Sequence, residues 1–213
     1  MTSTIHKGLE GVVASETRLS DVDGVNCQLI YRGYSIDELA GQATYEEVSF
    51  LLLNGRLPTR PELTEWTQQL ISRRPLPPQV LQAMQILPYG EPMAYLRTVT
   101  SLLGLSNPSS ERMGAESLRE HSLDLIAKTP TIVAMFERLR KKQPMLGPRP
   151  DLGHAANFLY MLHGEDPSRE TAASLDAYCV LLAEHGVNAS PFAARPTVAT
   201  QSDLYSGITA AIA

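Results

Sequence analysis

The segment DPSRETAASLDAYCVLLAEHG, residues 166–186, carries the clearest periodic pattern in the chain. Its opening Asp-Pro-Ser is typical of a helix start, and its closing Gly186 is typical of the residue that follows a helix. Between them, apolar side chains recur at three- and four-residue intervals and so share one side of an α-helix: Ala172, Leu175, Cys179 and Leu182. We therefore predict a helix with these residues on its buried face.

Helical signals continue on both sides of this segment. Thr44 and Thr59 are each followed three residues later by Glu, which forms a capping box at a helix start. Pro130 lies inside the longest predicted helix and is expected to kink or split it unless neighbouring packing satisfies the freed carbonyl. The last predicted helix lacks a capping residue, so we expect the sequence to stop within it. The further helices are predicted over residues 79–87, 93–103, 117–139 and 203–213.

Residues 10–34 have a different character. Short β-prone pieces at 11–14 and 28–31 flank the turn signal Asp23-Gly24, which predicts a small hairpin. The sequence as a whole predicts an all-α, mainly helical fold with a small N-terminal β-hairpin. We expect an N-terminal arm over residues 1–34 and a helical portion over residues 35–213.

Composition excludes several classes of partner. The chain has 213 residues with 23 acidic against 18 basic side chains, so it offers no cationic field for nucleic acid or for an anionic membrane surface. The basic cluster at residues 138–142 follows an apolar run and is interpreted as cations at a helix C-terminus. No apolar run is long enough to span a membrane. Two distant cysteines, Cys27 and Cys179, favour a reducing, cytoplasmic setting.

The histidines are the remaining candidates for chemistry, since common nucleotide, zinc-protease and hydrolase motifs are absent from the sequence. His154 and His163 lie nine residues apart, about half a turn around a helix, so they should not share a ligand and are interpreted as structural. His6 and His121 lie among polar residues and are predicted at the surface. No metal site is expected.

His185 differs because it closes the periodic helix beside other short polar groups. Glu184, Asn188 and Ser190 surround it in sequence, and such a cluster at a helix end could hold an anionic ligand. The alternative is that His185 is a helix-terminal cation and Asn188 a capping or loop residue. Spacing alone favours this alternative.

The chain resembles the citrate synthase family in several segments that follow the family's order. They are GLEGV at 8–12, YRGY at 31–34, residues 46–58 and 93–98, AANFL at 155–159, EHGVNAS at 184–190 and SDLYSGITAA at 202–211. The resemblance implies a mostly helical large domain that pairs with a second copy as a homodimer. It also implies a reaction of the tricarboxylic acid cycle, in which acetyl-CoA condenses with oxaloacetate to give citrate and CoA, with no metal or further cofactor.

The resemblance assigns a role to one of the histidines. His185 matches a family histidine that contacts oxaloacetate, and Asn188 is its neighbour, so these two are the expected substrate-binding residues. The family's enol-stabilising histidine, its catalytic Asp and its small catalytic domain follow the part that this chain matches. No catalytic residue is assigned here, and residues 1–213 are expected to be inactive alone.

Several positions depart from the family pattern. Cys27 stands where a glycine is usual, Glu91 and Leu182 each stand where a histidine is usual, and Pro191 and Pro196 occupy positions of non-proline residues. One interpretation is a portion of a citrate synthase or of a 2-methylcitrate synthase. The alternative is a non-catalytic, truncated paralogue that pairs with itself, with a full-length synthase or with a separate C-terminal portion.

Overall fold

The computed structural model describes residues 15–213, which form ten helices and three short strands. The all-α prediction with a small β element is confirmed. No helix among these residues is both long and apolar enough to cross a membrane. The strands are β1 (Ser20–Asp23), β2 (Gln28–Tyr31) and β3 (Tyr34–Ser35), and the helices are α1 (Ile36–Leu39), α2 (Tyr45–Asn54), α3 (Arg60–Arg73), α4 (Pro78–Ile86), α5 (Pro92–Ser106), α6 (Ala115–Arg140), α7 (His154–His163), α8 (Arg169–Leu181), α9 (Ala189–Ala199) and α10 (Leu204–Ile212).

The predicted hairpin is present, with β1 and β2 antiparallel and Asp23 opposite Gln28. The Asp23 carboxylate accepts hydrogen bonds from the backbone N–H of Val25 and of Asn26, both at 3.0 Å, which stabilises the turn. The partner of β2 is Ser20–Asp23, whereas the predicted strand at 11–14 lies outside the described residues. β3 adds a third antiparallel strand beside β2.

The unusual residue at position 27 has a backbone consequence. Cys27 ends the hairpin turn with φ of 55°, in the left-handed region that favours glycine. A side chain there costs conformational energy that a glycine would not. This strain accounts physically for the glycine that the family pattern has at this position.

Local capping signals place the helix starts as predicted. Glu47 accepts from the Thr44 backbone N–H at 2.8 Å, and Glu62 accepts from the Thr59 backbone N–H at 2.8 Å. Gly55 ends α2 in the left-handed conformation, with φ of 82°. These caps satisfy backbone groups that helix ends would otherwise leave unpaired.

Three clusters of buried apolar side chains hold the described elements together. The largest joins α4, α5, α6 and α10 and includes Val99 and Ile132. The second joins the sheet to α1, α2 and α8 and includes Tyr31 and Val180. The third lies between α2, α3 and α6 around Trp66. The sheet is therefore packed directly against the helix that precedes His185.

Pro130 does not split the long helix. α6 runs from Ala115 to Arg140 with Pro130 inside it, so the segment is not split, as expected where neighbouring packing supports the helix. Buried neighbours on both sides, Ala127 at 1 % exposure and Thr131 at 0 %, show that tertiary packing holds this part of the helix in place. The helix ends with Arg138 and Arg140 in its last turn, as predicted for the basic cluster.

The end of α8 differs from its prediction. The helix stops at Leu181, and Leu182 is 55 % exposed instead of lying on a buried face, while Val180 is fully buried. Gly186 has φ of 90° but lies within the loop beyond the helix end, so it is not the residue that follows the helix. The sheet contacts the residues at this helix end, as described below.

The prediction for His121 is also wrong. Its side chain is only 3 % exposed, because α10 packs across α5 and α6 and brings the ring of Tyr205 to 5.5 Å from the imidazole. His6 lies outside the described residues. His154 and His163 stand at opposite ends of α7, the first buried and the second exposed, and they share no ligand site, as predicted.

Candidate functional site

The loop 182–188 connects α8 to α9 and carries both expected substrate-binding residues. Tyr31, the last residue of β2, contacts this loop, and its side chain is 0 % exposed. The Tyr31 hydroxyl lies 3.1 Å from the carbonyl oxygens of Val180 and Leu181, to which it donates, and it accepts from the Glu184 backbone N–H at 3.1 Å. Burial raises the pKa of this phenol, so it stays protonated and remains a donor at neutral pH.

The Glu184 carboxylate forms a second anchor. It accepts from the Ser20 hydroxyl of β1 at 3.0 Å and from the Gly186 backbone N–H at 2.6 Å. Gly186 needs its left-handed φ for the loop to turn back in this way. The carboxylate is therefore occupied with loop structure, whereas the side chain of the next residue, His185, is exposed.

His185 and Asn188 are both exposed and lie in contact with each other. The Asn188 side-chain oxygen accepts from the Ser190 backbone N–H at 3.0 Å and caps α9, while its Nδ2 lies 3.0 Å from Nε2 of His185. The same Nδ2 lies 3.4 Å from Nδ1 of the ring, and because an amide N–H only donates, the ring nitrogen that it bonds acts as the acceptor. The structure thus brings the two predicted residues together; their role in binding stays a prediction.

The arrangement suits recognition of oxygen-rich anionic ligands. An imidazole N–H and the second amide hydrogen of Asn188 are donors for carboxylate or carbonyl oxygens. Arg195 of α9 donates through one terminal nitrogen to the Ser15 hydroxyl at 3.0 Å and to the Glu16 carbonyl at 3.1 Å. Within residues 15–213, no group of His, Cys, Asp and Glu side chains could hold a metal ion.

Sequence analysis missed the residues that hold this loop. Tyr31 stands in one of the family-like segments, but nothing in its sequence neighbours indicates a contact with residues about 150 positions away. The same is true of Ser20 and Glu184. A buried Tyr at the end of a strand indicates that its hydroxyl needs a hydrogen-bond partner, but it does not indicate which residue that partner is.

Two departures from the family pattern have clear structural roles. Glu91 is the N-cap of α5, where its side chain accepts from the Ala94 backbone N–H at 2.7 Å. Leu182 follows the last residue of α8 and forms an exposed apolar face with Tyr178 and Leu181. Neither position offers a proton donor to the loop that carries His185.

We expect Glu91→Ala to lower the free energy of unfolding by about 1 kcal/mol, because the first turn of α5 loses its cap. Chemical denaturation with urea measures this change. Glu91→Asn, which restores a capping acceptor, should recover most of the loss. Glu165→Ala, at an exposed site after α7, is the control and should change stability little. Equal stability of Glu91→Ala and the unaltered protein would show that the cap has no energetic role.

Comparison with known proteins agrees with this architecture. The family profile described as "Citrate synthase, C-terminal domain" matches residues 8–213. The chain belongs to the citrate synthase family. It is similar to a citrate synthase of Deinococcus radiodurans, with 42 % identity over 99 % of this chain and 56 % of that protein. It is also similar to a 2-methylcitrate synthase of Mycobacterium tuberculosis, with 40 % identity over 98 % of this chain and 53 % of that protein.

Solved structures show the same fold. Citrate synthase from Thermoplasma acidophilum, in a ternary complex with carboxymethyl coenzyme A and oxaloacetate, superposes with a TM-score of 0.93 and 31 % identity. The match covers 99 % of this chain and 56 % of that one. The chain therefore spans about half the length of the relatives that it matches.

Proposed function

We propose that residues 1–213 form the keto-acid-binding, large-domain portion of a citrate synthase-type acyltransferase of the tricarboxylic acid cycle. In this proposal the complete enzyme condenses acetyl-CoA with oxaloacetate and releases citrate and CoA, without a metal or further cofactor. The observation that carries it is the exposed His185–Asn188 pair on a loop held by buried groups of the sheet. The oxaloacetate complex of the Thermoplasma acidophilum relative supports the choice of ligand.

The chain's own residues would bind and orient the keto acid. The imidazole of His185 and the second amide hydrogen of Asn188 belong to one short loop, so they can contact neighbouring oxygens of one ligand. Donors held in place by the fold stabilise charge that develops on a carbonyl oxygen more effectively than mobile ones. Proton removal from the acyl-CoA is assigned to the part of the family that this chain does not match.

The proposed partner is a second copy of the chain, in a cytoplasmic homodimer. α5 and α6 are the helices whose exposed apolar side chains support this assembly: Met93 at 50 %, Leu105 at 84 % and Val133 at 36 %. Free thiols at Cys27 and Cys179 are consistent with a reducing compartment. A separate C-terminal portion or a full-length synthase is the other proposed partner.

The proposal predicts binding without turnover for purified residues 1–213. Oxaloacetate should perturb the NMR resonances of loop 182–188, and His185→Ala should weaken this binding by about tenfold or more, because the loss of one charge-assisted donor costs at least this much. His163→Ala is the matched control, since it also removes an exposed histidine but one at the far end of α7. Equal affinities of the two variants would refute the assignment of His185.

Turnover is measured as free thiol released from acetyl-CoA in the presence of oxaloacetate. None above the blank is expected, because the family's acid–base carboxylate and enol-stabilising histidine follow the matched part. Appreciable thiol release by the 213-residue chain would show that the catalytic groups do not all lie outside it, and another base among these residues would then be required.

A 2-methylcitrate synthase portion is a second candidate. The relative from Mycobacterium tuberculosis supports it, since its identity of 40 % is close to the 42 % of the citrate synthase from Deinococcus radiodurans. The acyl group distinguishes the two: propionyl-CoA instead of acetyl-CoA would be consumed by the complete enzyme. Thiol release from the two thioesters, compared at equal concentration, separates these candidates.

A non-catalytic paralogue is a third candidate. The cap role of Glu91 and the exposure of Leu182 favour it, because neither position offers a proton donor to the candidate site. Such a protein would keep the pairing helices and associate with itself or with a full-length synthase. A stable dimer of residues 1–213 that does not respond to oxaloacetate and that co-purifies with a synthase supports this candidate.

A further inference from the structure

We infer that Tyr31 is a positioning residue for His185, because its hydroxyl is inserted into the hydrogen bond that would continue α8 into loop 182–188. This role rests on the proposed function, in which His185 receives a keto acid. In an uninterrupted α-helix, the Glu184 N–H would donate to the Val180 carbonyl four residues earlier. Here both of these groups bond to the Tyr31 hydroxyl instead, each at 3.1 Å.

The helix ends at Leu181, where the Ala183 N–H donates to the Val180 carbonyl at 3.3 Å, and the insertion keeps the chain from resuming the helix beyond that point. The hydroxyl is also 3.1 Å from the Leu181 carbonyl, the group that would accept from His185 in a continued helix. Two successive helical bonds are therefore replaced by contacts to one side chain. The residues from Leu182 onward leave the helix axis, and His185 lies on a loop instead of on a helical turn.

The hydroxyl can do this because its own position is fixed. Tyr31 lies at the end of β2, fully buried in the cluster that also contains Leu51 and Val180. Across the sheet its register partner is Ser20, whose hydroxyl donates to the Glu184 carboxylate at 3.0 Å. Two directly opposite residues of the sheet thus hold the main chain and the side chain of the residue before His185.

If residues 182–185 continued α8 as a helix, the imidazole of His185 would move. Each residue added to a helix turns by about 100° around the axis, so an extra turn over residues 182–185 would redirect His185 and separate it from Asn188. Binding groups misplaced by about 1 Å can cost on the order of a hundredfold in rate. Position, and not charge, is what Tyr31 contributes to the site.

Tyr31→Phe tests this role, since it keeps the ring and removes only the hydroxyl. In NMR spectra of residues 1–213, the carbon shifts of residues 182–185 should move towards helical values, and the His185 ring resonance should shift. Oxaloacetate affinity should fall by about tenfold or more, as for the loss of one hydrogen bond to a charged ligand. Tyr95→Phe is the matched control, because its buried hydroxyl donates to the Met84 carbonyl at 2.7 Å, far from the loop in sequence.

The measurements separate a positioning role from a stabilising one. If Tyr31→Phe and Tyr95→Phe lower stability alike and neither shifts the His185 resonance, the inference is wrong. The resonance is observed without ligand, so it tests Tyr31 even where oxaloacetate does not bind and the proposed function fails. Should Tyr31→Phe not fold, Ser20→Ala removes the other anchor and must shift the same resonance; an unmoved resonance in that variant would also overturn the inference.

Discussion

Trp66→Ala is expected to lower the free energy of unfolding by about 3–5 kcal/mol, the range for truncating a large buried aromatic side chain. The indole is 1 % exposed and lies at the meeting point of α2, α3 and α6. Its edge packs against the ring of Phe50 at a centroid distance of 5.3 Å, and its N–H donates to the Ser49 hydroxyl at 3.0 Å. Truncation would leave a cavity and remove this donor from the buried Ser49 hydroxyl, which would keep only its bond to the Glu46 carbonyl.

Denaturation with guanidinium chloride, followed by circular dichroism, measures this loss. Trp66→Phe keeps most of the volume and should cost clearly less, since only the N–H contact and part of the ring are removed. Ile86→Ala truncates an apolar side chain that is 85 % exposed and should be near neutral. If Trp66→Ala were as stable as Ile86→Ala, this cluster would not be part of the cooperative core.

Acidification is expected to destabilise the fold through His154 by about 3 kcal/mol between pH 6.5 and pH 4. Burial, with a smaller effect of the Arg74 cation, lowers the pKa of this imidazole from 6.5 to about 4. Between these values the unfolded chain binds a proton at this ring and the folded chain does not. Stability therefore falls as the pH falls through this window, and the full contribution is present above pH 6.5.

The surroundings of His154 account for this behaviour. Its ring stacks on Tyr45 at 4.5 Å and its backbone N–H donates to the buried Glu46 carboxylate at 2.8 Å. Asp176 lies on the facing helix α8, where burial raises the pKa of its carboxyl and where it accepts from the Tyr45 backbone N–H. The unaltered protein and a His154 variant both contain these groups. A comparison of the two therefore isolates the effect of imidazole protonation on the free energy of unfolding.

His154→Phe, which keeps the stacked ring and cannot be protonated, provides that comparison. The free energies of unfolding of both proteins are measured at several values between pH 7 and pH 4. The difference between them should change by about 3 kcal/mol across the range, with the unaltered protein losing more. His163→Gln, at an exposed site, serves as the control. Parallel pH profiles for the unaltered protein and His154→Phe would contradict the buried, neutral imidazole.

Features that depend on local sequence could be predicted. The starts of α2 and α3 followed from Thr44 and Thr59, because a capping box involves only residues three apart. The turn at Asp23 likewise depends on its own neighbours. His185 and Asn188 are three residues apart, so their contact was also within reach of sequence reasoning.

Features that depend on distant packing could not be predicted. The burial of His121 is caused by α10, more than 80 positions later, and no nearby residue indicates it. The departure from the helix after Leu181 is held by Tyr31, so the periodic pattern extended the helix too far. In both cases a tertiary contact overrides a local preference, and at α8 that contact also shapes the candidate site.

Asn188 allows selection for folding to be distinguished from selection for ligand binding. Its oxygen caps α9 and its amide nitrogen contacts His185, so one side chain meets two separate demands. Asp, Ser or Thr could supply the cap equally well, but none presents an amide donor to the imidazole. A lineage that retains only the fold could drift among these residues, whereas one that still binds a keto acid would keep asparagine. The residues found at position 188 among descendants of the chain would therefore distinguish selection for the fold alone from selection for keto-acid binding.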